Sequence, residues 1–126
     1  MIHVLFTAEP HLWPQYREPL VAACSDLGLE VFLSRDHAPE DVDYIVCAPN
    51  GPVTDFSAYV NTKAVLNLWA GVETITGNET LTQPLLRMVD DSQTTGMVEW
   101  VTGHVMRHQL GMDAHIHGQD LSLIHI

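Results

Sequence analysis

Residues 63–73 read "KAVLNLWAGVE". Ala64–Leu68 is a short, mostly apolar run of the kind that a strand buried on both faces presents. It ends in small residues, Ala70 and Gly71, with Trp69 immediately before them. Glycine at a strand tip makes a tight turn or lets something come close to the backbone. The neighbours of that strand decide between the two.

Upstream, Ile2–Thr7 is a second apolar run ending at a polar turn, and Trp13–Leu27 has helical spacing. Tyr16, Leu20, Ala23, Cys24 and Leu27 share one face of that helix, and Gly28 follows where a C-terminal cap belongs. Glu30–Ser34 and Tyr44–Ala48 are further strands, separated by a loop with Asp36 and Pro39. "APNGP" at 48–52 is a turn signal. Asp55–Val60 is expected to be a short helix, and Leu85–Val89 a fifth strand. Gln93–Leu110 carries the longest helical pattern, closed by Gly111. Strands alternating with helices at this spacing predict an α/β fold, a parallel sheet with helices on both faces. Ligands of such sheets sit at the carboxyl ends of the strands. The candidate loops are therefore Thr7–His11, Ala48–Pro52 and Trp69–Glu73.

The bulk numbers narrow the partners. A chain of 126 residues, 46% hydrophobic and 17% charged, is a globular domain with one core. Five basic residues against 16 acidic ones give a net charge of −11. Nucleic acid and anionic membranes both select a basic footprint, so neither is an expected partner. The eight histidines offset that charge only below about pH 6.5. No apolar run approaches the roughly 18 residues of a membrane helix. The N-terminus lacks a basic leader, and Glu9 and Pro10 interrupt its apolar run, so it reads as a first strand. Cys24 and Cys47 read as reduced thiols of a cytoplasmic protein.

Chemistry-bearing motifs are sparse. "TAEPHL" after the first strand has no glycine to cradle a phosphate. "VCAPNG" offers Asn50 where a phospho-acceptor domain would carry an aspartate. His104 and His108 have the i, i+4 spacing of metal ligands, but no third ligand accompanies them, and no metal is expected. His115 and His117 fall in a polar loop and receive no role. No hydroxyl nucleophile occupies an elbow motif, and neither cysteine has a base beside it in sequence. The Ala70-Gly71 turn remains: consecutive backbone N–H groups at a strand end form a concavity that suits a carboxylate.

Read together, "KAVLNLWAGVE", "LTQPLLRMVD" and "TTGMVEWVTGHVMRHQLGMD" resemble the D-isomer-specific 2-hydroxyacid dehydrogenases, most closely their glyoxylate/hydroxypyruvate reductase A branch. The similarity spans roughly residues 1–120. It implies a flavodoxin-like substrate domain interrupted by a Rossmann domain that binds NADPH or NADH. On this reading residues 1–92 are the first part of the substrate domain. Residues 93–111 are the helix that crosses toward the nucleotide domain, and 112–126 are a loop and tail. The resemblance implies that the amides of Ala70 and Gly71 hold a small 2-keto acid by its carboxylate, with Trp69 lining or narrowing the pocket. The branch often has Gly at the position of Trp69 and Asp at that of Glu73. Gly96, Met97 and Glu99 match the start of the crossing helix, and Met97 is carried over as a cofactor neighbour. The family's catalytic Arg, Glu and His all follow its G-x-G-x-x-G fingerprint, which these residues do not contain, so no catalytic residue is assigned here. The intact enzyme is expected to be a homodimer. The final "LSLIHI", Leu121–Ile126, is expected to be a truncated end or junction sequence, with an added strand as the alternative. The rival to the enzyme fragment is a stand-alone flavodoxin-like binding or interaction module without catalysis.

Overall fold

The computed structural model describes residues 1–119, and Leu121–Ile126 lie outside them. Five strands form one parallel sheet: β1 (Ile2–Thr7), β2 (Val31–Ser34), β3 (Tyr44–Cys47), β4 (Ala64–Asn67) and β5 (Leu85–Leu86). Their order is β2-β1-β3-β4-β5, the flavodoxin-like arrangement, in which the chain reverses its direction of growth between β1 and β3. The expected α/β fold with a parallel sheet is observed.

Alternation of side chains divides the core between the two faces. Val4, Phe6, Val46 and Ala48 face helix α1 (Trp13–Asp26), which lays Trp13, Tyr16 and Leu20 against them. The Phe6 ring lies 5.3 Å from that of Trp13 and 6.1 Å from that of Tyr16. Cys24 is partly buried on the same side, while Ala23 and Leu27 are exposed. The helix ends at Asp26, and Gly28 adopts φ +70°, a conformation that closes a helix readily only with glycine. On the other face Leu5, Val42, Ile45, Cys47 and Val65 form the core with Phe56 and Ile75.

Phe56 and Ile75 belong to irregular chain, and here one expectation is corrected: Asp55–Val60 is not a helix. Asp55 Oδ1 accepts from both the amide and the hydroxyl of Ser57, and Thr80 Oγ1 accepts from the Phe56 amide. Such side-chain bonds give the backbone an alternative to helical pairing. Asn78 Nδ2 donates to the Thr54 carbonyl and Gln83 Nε2 to that of Tyr59, which holds the irregular segment together.

Asp43, just ahead of β3, ties the amino ends of three strands. It accepts from the His3 amide at 2.9 Å and from Lys63 Nζ at 2.8 Å. The Lys63 ammonium, then the His3 amide, hold the Asp43 carboxyl below its ordinary 3.8. A depressed carboxyl contributes stability above its unfolded pKa and loses it as pH falls through the lower folded value. Asp43→Asn is therefore expected to be less stable than the parent at about pH 7, with the difference closing below about pH 3. Urea melts giving the same difference at both pH values would refute this linkage.

Contacts divide the chain into Met1–Val89 and a second unit that begins at Asp90. Within the second unit Asp90 caps helix α2 (Asp91–Gln109) by accepting from the Ser92 amide, so the helix starts two residues ahead of the expected Gln93. Gly111 follows it with φ +61°. Met112–Gln119 forms a helix, α3, where a polar loop was expected. Arg107 pairs with Asp113 across the turn, and His117 Nδ1 lies 2.7 Å from the Asp113 carbonyl. Those bonds supply the local order that composition does not signal. No helix among the described residues is long and apolar enough to cross a membrane.

Candidate functional site at the carboxyl edge

The strand register sets Thr7 beside Cys47 and Cys47 beside Asn67, so three polar groups form one row beneath the carboxyl edge of the sheet. All three are buried, at 3%, 2% and 5% exposure. Burial pushes the Cys47 thiol up to about 11, which leaves it a thiol rather than a nucleophile at neutral pH.

Asn67 organises the turn that follows β4. Its Nδ2 donates to the Trp69 carbonyl at 2.7 Å and to the Gly71 carbonyl at 2.8 Å. Both carbonyls are thereby drawn toward the side chain of Asn67. The Ala70 and Gly71 amides have no acceptor among the described residues. Two neighbouring amides left free in this way can receive one oxyanion. Arg87, just past β5, brings a guanidinium to the same turn: its Nη1 lies 3.4 Å from the Ala70 carbonyl. That single long contact leaves its remaining donors for a ligand.

Gly71 does not need glycine for the turn itself, because only Gly28 and Gly111 have positive φ among the described glycines. What it provides is access. A Cβ there would meet only the Glu73 carboxylate, with Oε2 at 3.0 Å and Cδ at 3.9 Å. Glu73 thus sets a carboxylate against the turn, and an incoming anion has to be held by the amides and Arg87 against its repulsion. Trp69 is 42% exposed, its side chain free to border a ligand.

The other two candidate loops meet each other. Asn50 Nδ2 donates to Glu9 Oε1 at 2.6 Å, and Glu9 Oε2 lies 3.1 Å from His11 Nδ1. Trp69, Ala70 and Gly71 are therefore brought together with Asn67 and Arg87. Met97 belongs to the second unit, on α2, with its side chain 57% exposed. His104 and His108 are exposed on the same helix, and the His104 ring lies 4.3 Å from that of Trp100, tilted by 44°. Among the described residues no three ligating side chains gather around either histidine.

Asn67 and Arg87 were missed from sequence. The available signals were a polar residue interrupting an apolar strand, and one of only five basic residues standing at a strand end. Neither signal says which backbone groups the side chain reaches.

No family model matches the sequence, and no curated protein does. Several solved structures resemble the fold. A D-isomer specific 2-hydroxyacid dehydrogenase from Xanthobacter autotrophicus Py2, in complex with NADPH and MES, superposes with TM-score 0.72 at 25% identity over 98% of this chain. A probable 2-hydroxyacid dehydrogenase from Rhizobium etli CFN 42, in complex with NADP, HEPES and L(+)-tartaric acid, gives 0.71 at 23% identity over 97%. A D-isomer specific 2-hydroxyacid dehydrogenase family protein from Klebsiella pneumoniae 342 gives 0.63 at 20% identity over 99%. The chain spans 41%, 39% and 40% of their respective lengths. Its structural neighbours are thus 2-hydroxyacid dehydrogenases, matched along nearly all of this chain and about two fifths of theirs.

Proposed function

We propose that this chain is the substrate-holding part of an oxidoreductase that reduces a small 2-keto acid, glyoxylate or hydroxypyruvate, with NADPH or NADH as reductant. The observation that carries the reading is the Asn67-held turn, with the free amides of Ala70 and Gly71 and the Arg87 guanidinium beside them. A 2-keto acid presents a planar carboxylate, which two amides and a guanidinium can hold in one orientation. Orientation of that kind fixes the adjacent keto carbon for attack from one side. Trp69 would border the pocket and limit the size of the substrate.

The described residues do not suit the dinucleotide itself. The loop after β1 lacks glycine, and its Glu9 carboxylate would oppose a pyrophosphate. Cofactor binding and proton transfer are assigned to chain beyond these residues, and Met97 is proposed as a cofactor neighbour from the family resemblance alone. The intact enzyme is proposed to be a cytoplasmic homodimer.

The test is steady-state kinetics on the full-length gene product, following NADPH or NADH oxidation with glyoxylate and hydroxypyruvate. Gly71→Val is expected to raise KM about tenfold or more, since its side chain would occupy the carboxylate position. Arg87→Gln is expected to raise KM in the same direction. The only neighbour of a Cβ at Gly71 is the flexible Glu73 side chain, and Arg87 is exposed, so both variants should fold. An unchanged KM in both folded variants would remove this turn from the site. Absence of any turnover by the full-length product would favour a non-catalytic binding module.

A further inference from the structure

Two opposite charges reach the turn after β4, and backbone hydrogen bonds set both in place. The Met88 amide donates to the Trp69 carbonyl at 3.3 Å, which holds Arg87 beside the turn, and Arg87 Nη1 reaches the Ala70 carbonyl. Downstream, the Ile75 and Thr76 amides both donate to the Val72 carbonyl, at 2.9 and 3.0 Å. Ile75 is packed into the core at 7% exposure, which fixes the short loop that carries Glu73.

The Glu73 side chain reaches back over Gly71. Its Oε2 lies 3.0 Å from the point that a Cβ at Gly71 would occupy. Glu73 is exposed and takes part in none of the ion pairs of the described residues. A carboxylate beside two free amides has no hydrogen to offer an anion, so it opposes one. Charge then decides which anions suit. Arg87 brings one positive charge to the turn and Glu73 one negative. A monocarboxylate leaves the turn with a single negative charge, whereas a dicarboxylate leaves two, in a chain already at −11. An oxyanion on the Gly71 amide stands within about one screening length of Glu73, roughly 10 Å at 0.1 M salt, so much of the repulsion survives.

We propose that Glu73 is the specificity determinant of this turn, admitting 2-keto acids with an uncharged substituent and turning away 2-keto dicarboxylates. That role depends on Ala70 and Gly71 holding the substrate carboxylate, as in the proposed function. Repulsion built against the wrong ligand yields specificity without any added contact to the right one. Without Glu73, the Arg87 guanidinium would attract both ends of a dicarboxylate.

The experiment uses the full 126-residue chain, ¹⁵N-labelled, and two probes of nearly equal shape, malonate and its monoamide malonamate. At about pH 8 malonate carries two charges and malonamate one. Both are titrated at constant ionic strength while the Ala70 and Gly71 amides are followed. Malonamate is expected to shift these amides saturably and to bind more tightly than malonate. Glu73→Gln should shrink that preference by about threefold or more, and Glu73→Lys should reverse it. Glu73 is exposed, so both variants should fold. Glu30→Gln removes the same charge from the amino end of β2 and should leave the preference as it was. Saturable binding with an unchanged preference in the Glu73 variants would overturn the role of Glu73 while leaving the turn as a carboxylate site. An equal change in Glu30→Gln would also overturn it, by making overall charge the selector. No saturable shift with either probe would overturn the turn as a carboxylate site, and the role of Glu73 with it.

Discussion

Gly51→Ala is expected to destabilise the protein by about 2 kcal/mol or more, an overpacking cost at the upper part of the usual range. A Cβ at Gly51 would stand 2.2 Å from the Thr7 carbonyl oxygen and 3.0 Å from that of Ala48. Both obstacles are backbone, and the first terminates the interior strand β1. The Gly51 amide also donates to the Ala48 carbonyl at 2.8 Å, so the turn cannot swing away without losing that bond. A melting point lowered by on the order of 5–10 °C is the expected reading. Gly77→Ala serves as the control, because a Cβ there meets nothing within 4 Å. Equal melting points for the two variants would show that the loop moves aside freely.

Asn67→Asp is expected to have the larger effect, about 3–5 kcal/mol at neutral pH. Asn67 is 5% exposed and directs both amide hydrogens at carbonyl oxygens. An aspartate would direct a buried carboxylate at the same two acceptors. Burial and the facing carbonyls would raise its folded pKa above the unfolded value of about 3.9. The charge penalty is therefore absent below that unfolded value and grows as pH rises through it. Asn67→Leu separates charge from lost bonding: it removes both donated bonds and leaves the Gly71 carbonyl without a partner among the described residues, at about 1–3 kcal/mol, independent of pH. Matching pH profiles for the two variants would refute the electrostatic account. In both, protection of the Met88 amide, which donates to the Trp69 carbonyl at 3.3 Å, should fall, because the turn loses the group that holds it.

The two variants also mark where the sequence was legible. Four of the five strands begin within a residue of the expected position and end within one of it, since alternation and apolar runs are local properties of the chain. Helix α1 was readable despite Pro19 within it, because Tyr16, Leu20 and Cys24 keep a helical spacing and Gly28 supplies the stop. Asp55–Val60 was misread as a helix. Distant side chains hold this stretch in an irregular path instead: Thr80 Oγ1 accepts from the Phe56 amide and Gln83 Nε2 donates to the Tyr59 carbonyl, each 24 residues away. Met112–Gln119 was misread as a loop for the converse reason: the Arg107–Asp113 pair orders residues whose composition is polar.

What the sequence alone determined is the order and kind of the strands, the parallel sheet they imply, and the acidic character of the chain. Each follows from periodicity, residue size or charge, quantities that need no knowledge of partners. Only the tertiary structure decided the row Thr7–Cys47–Asn67, the reach of Asn67 to two carbonyls, the approach of Arg87 to Ala70, and the requirement for glycine at 51. These relations join residues on different strands and loops. Strand register and backbone packing set their distances, and neither is encoded within any one local stretch.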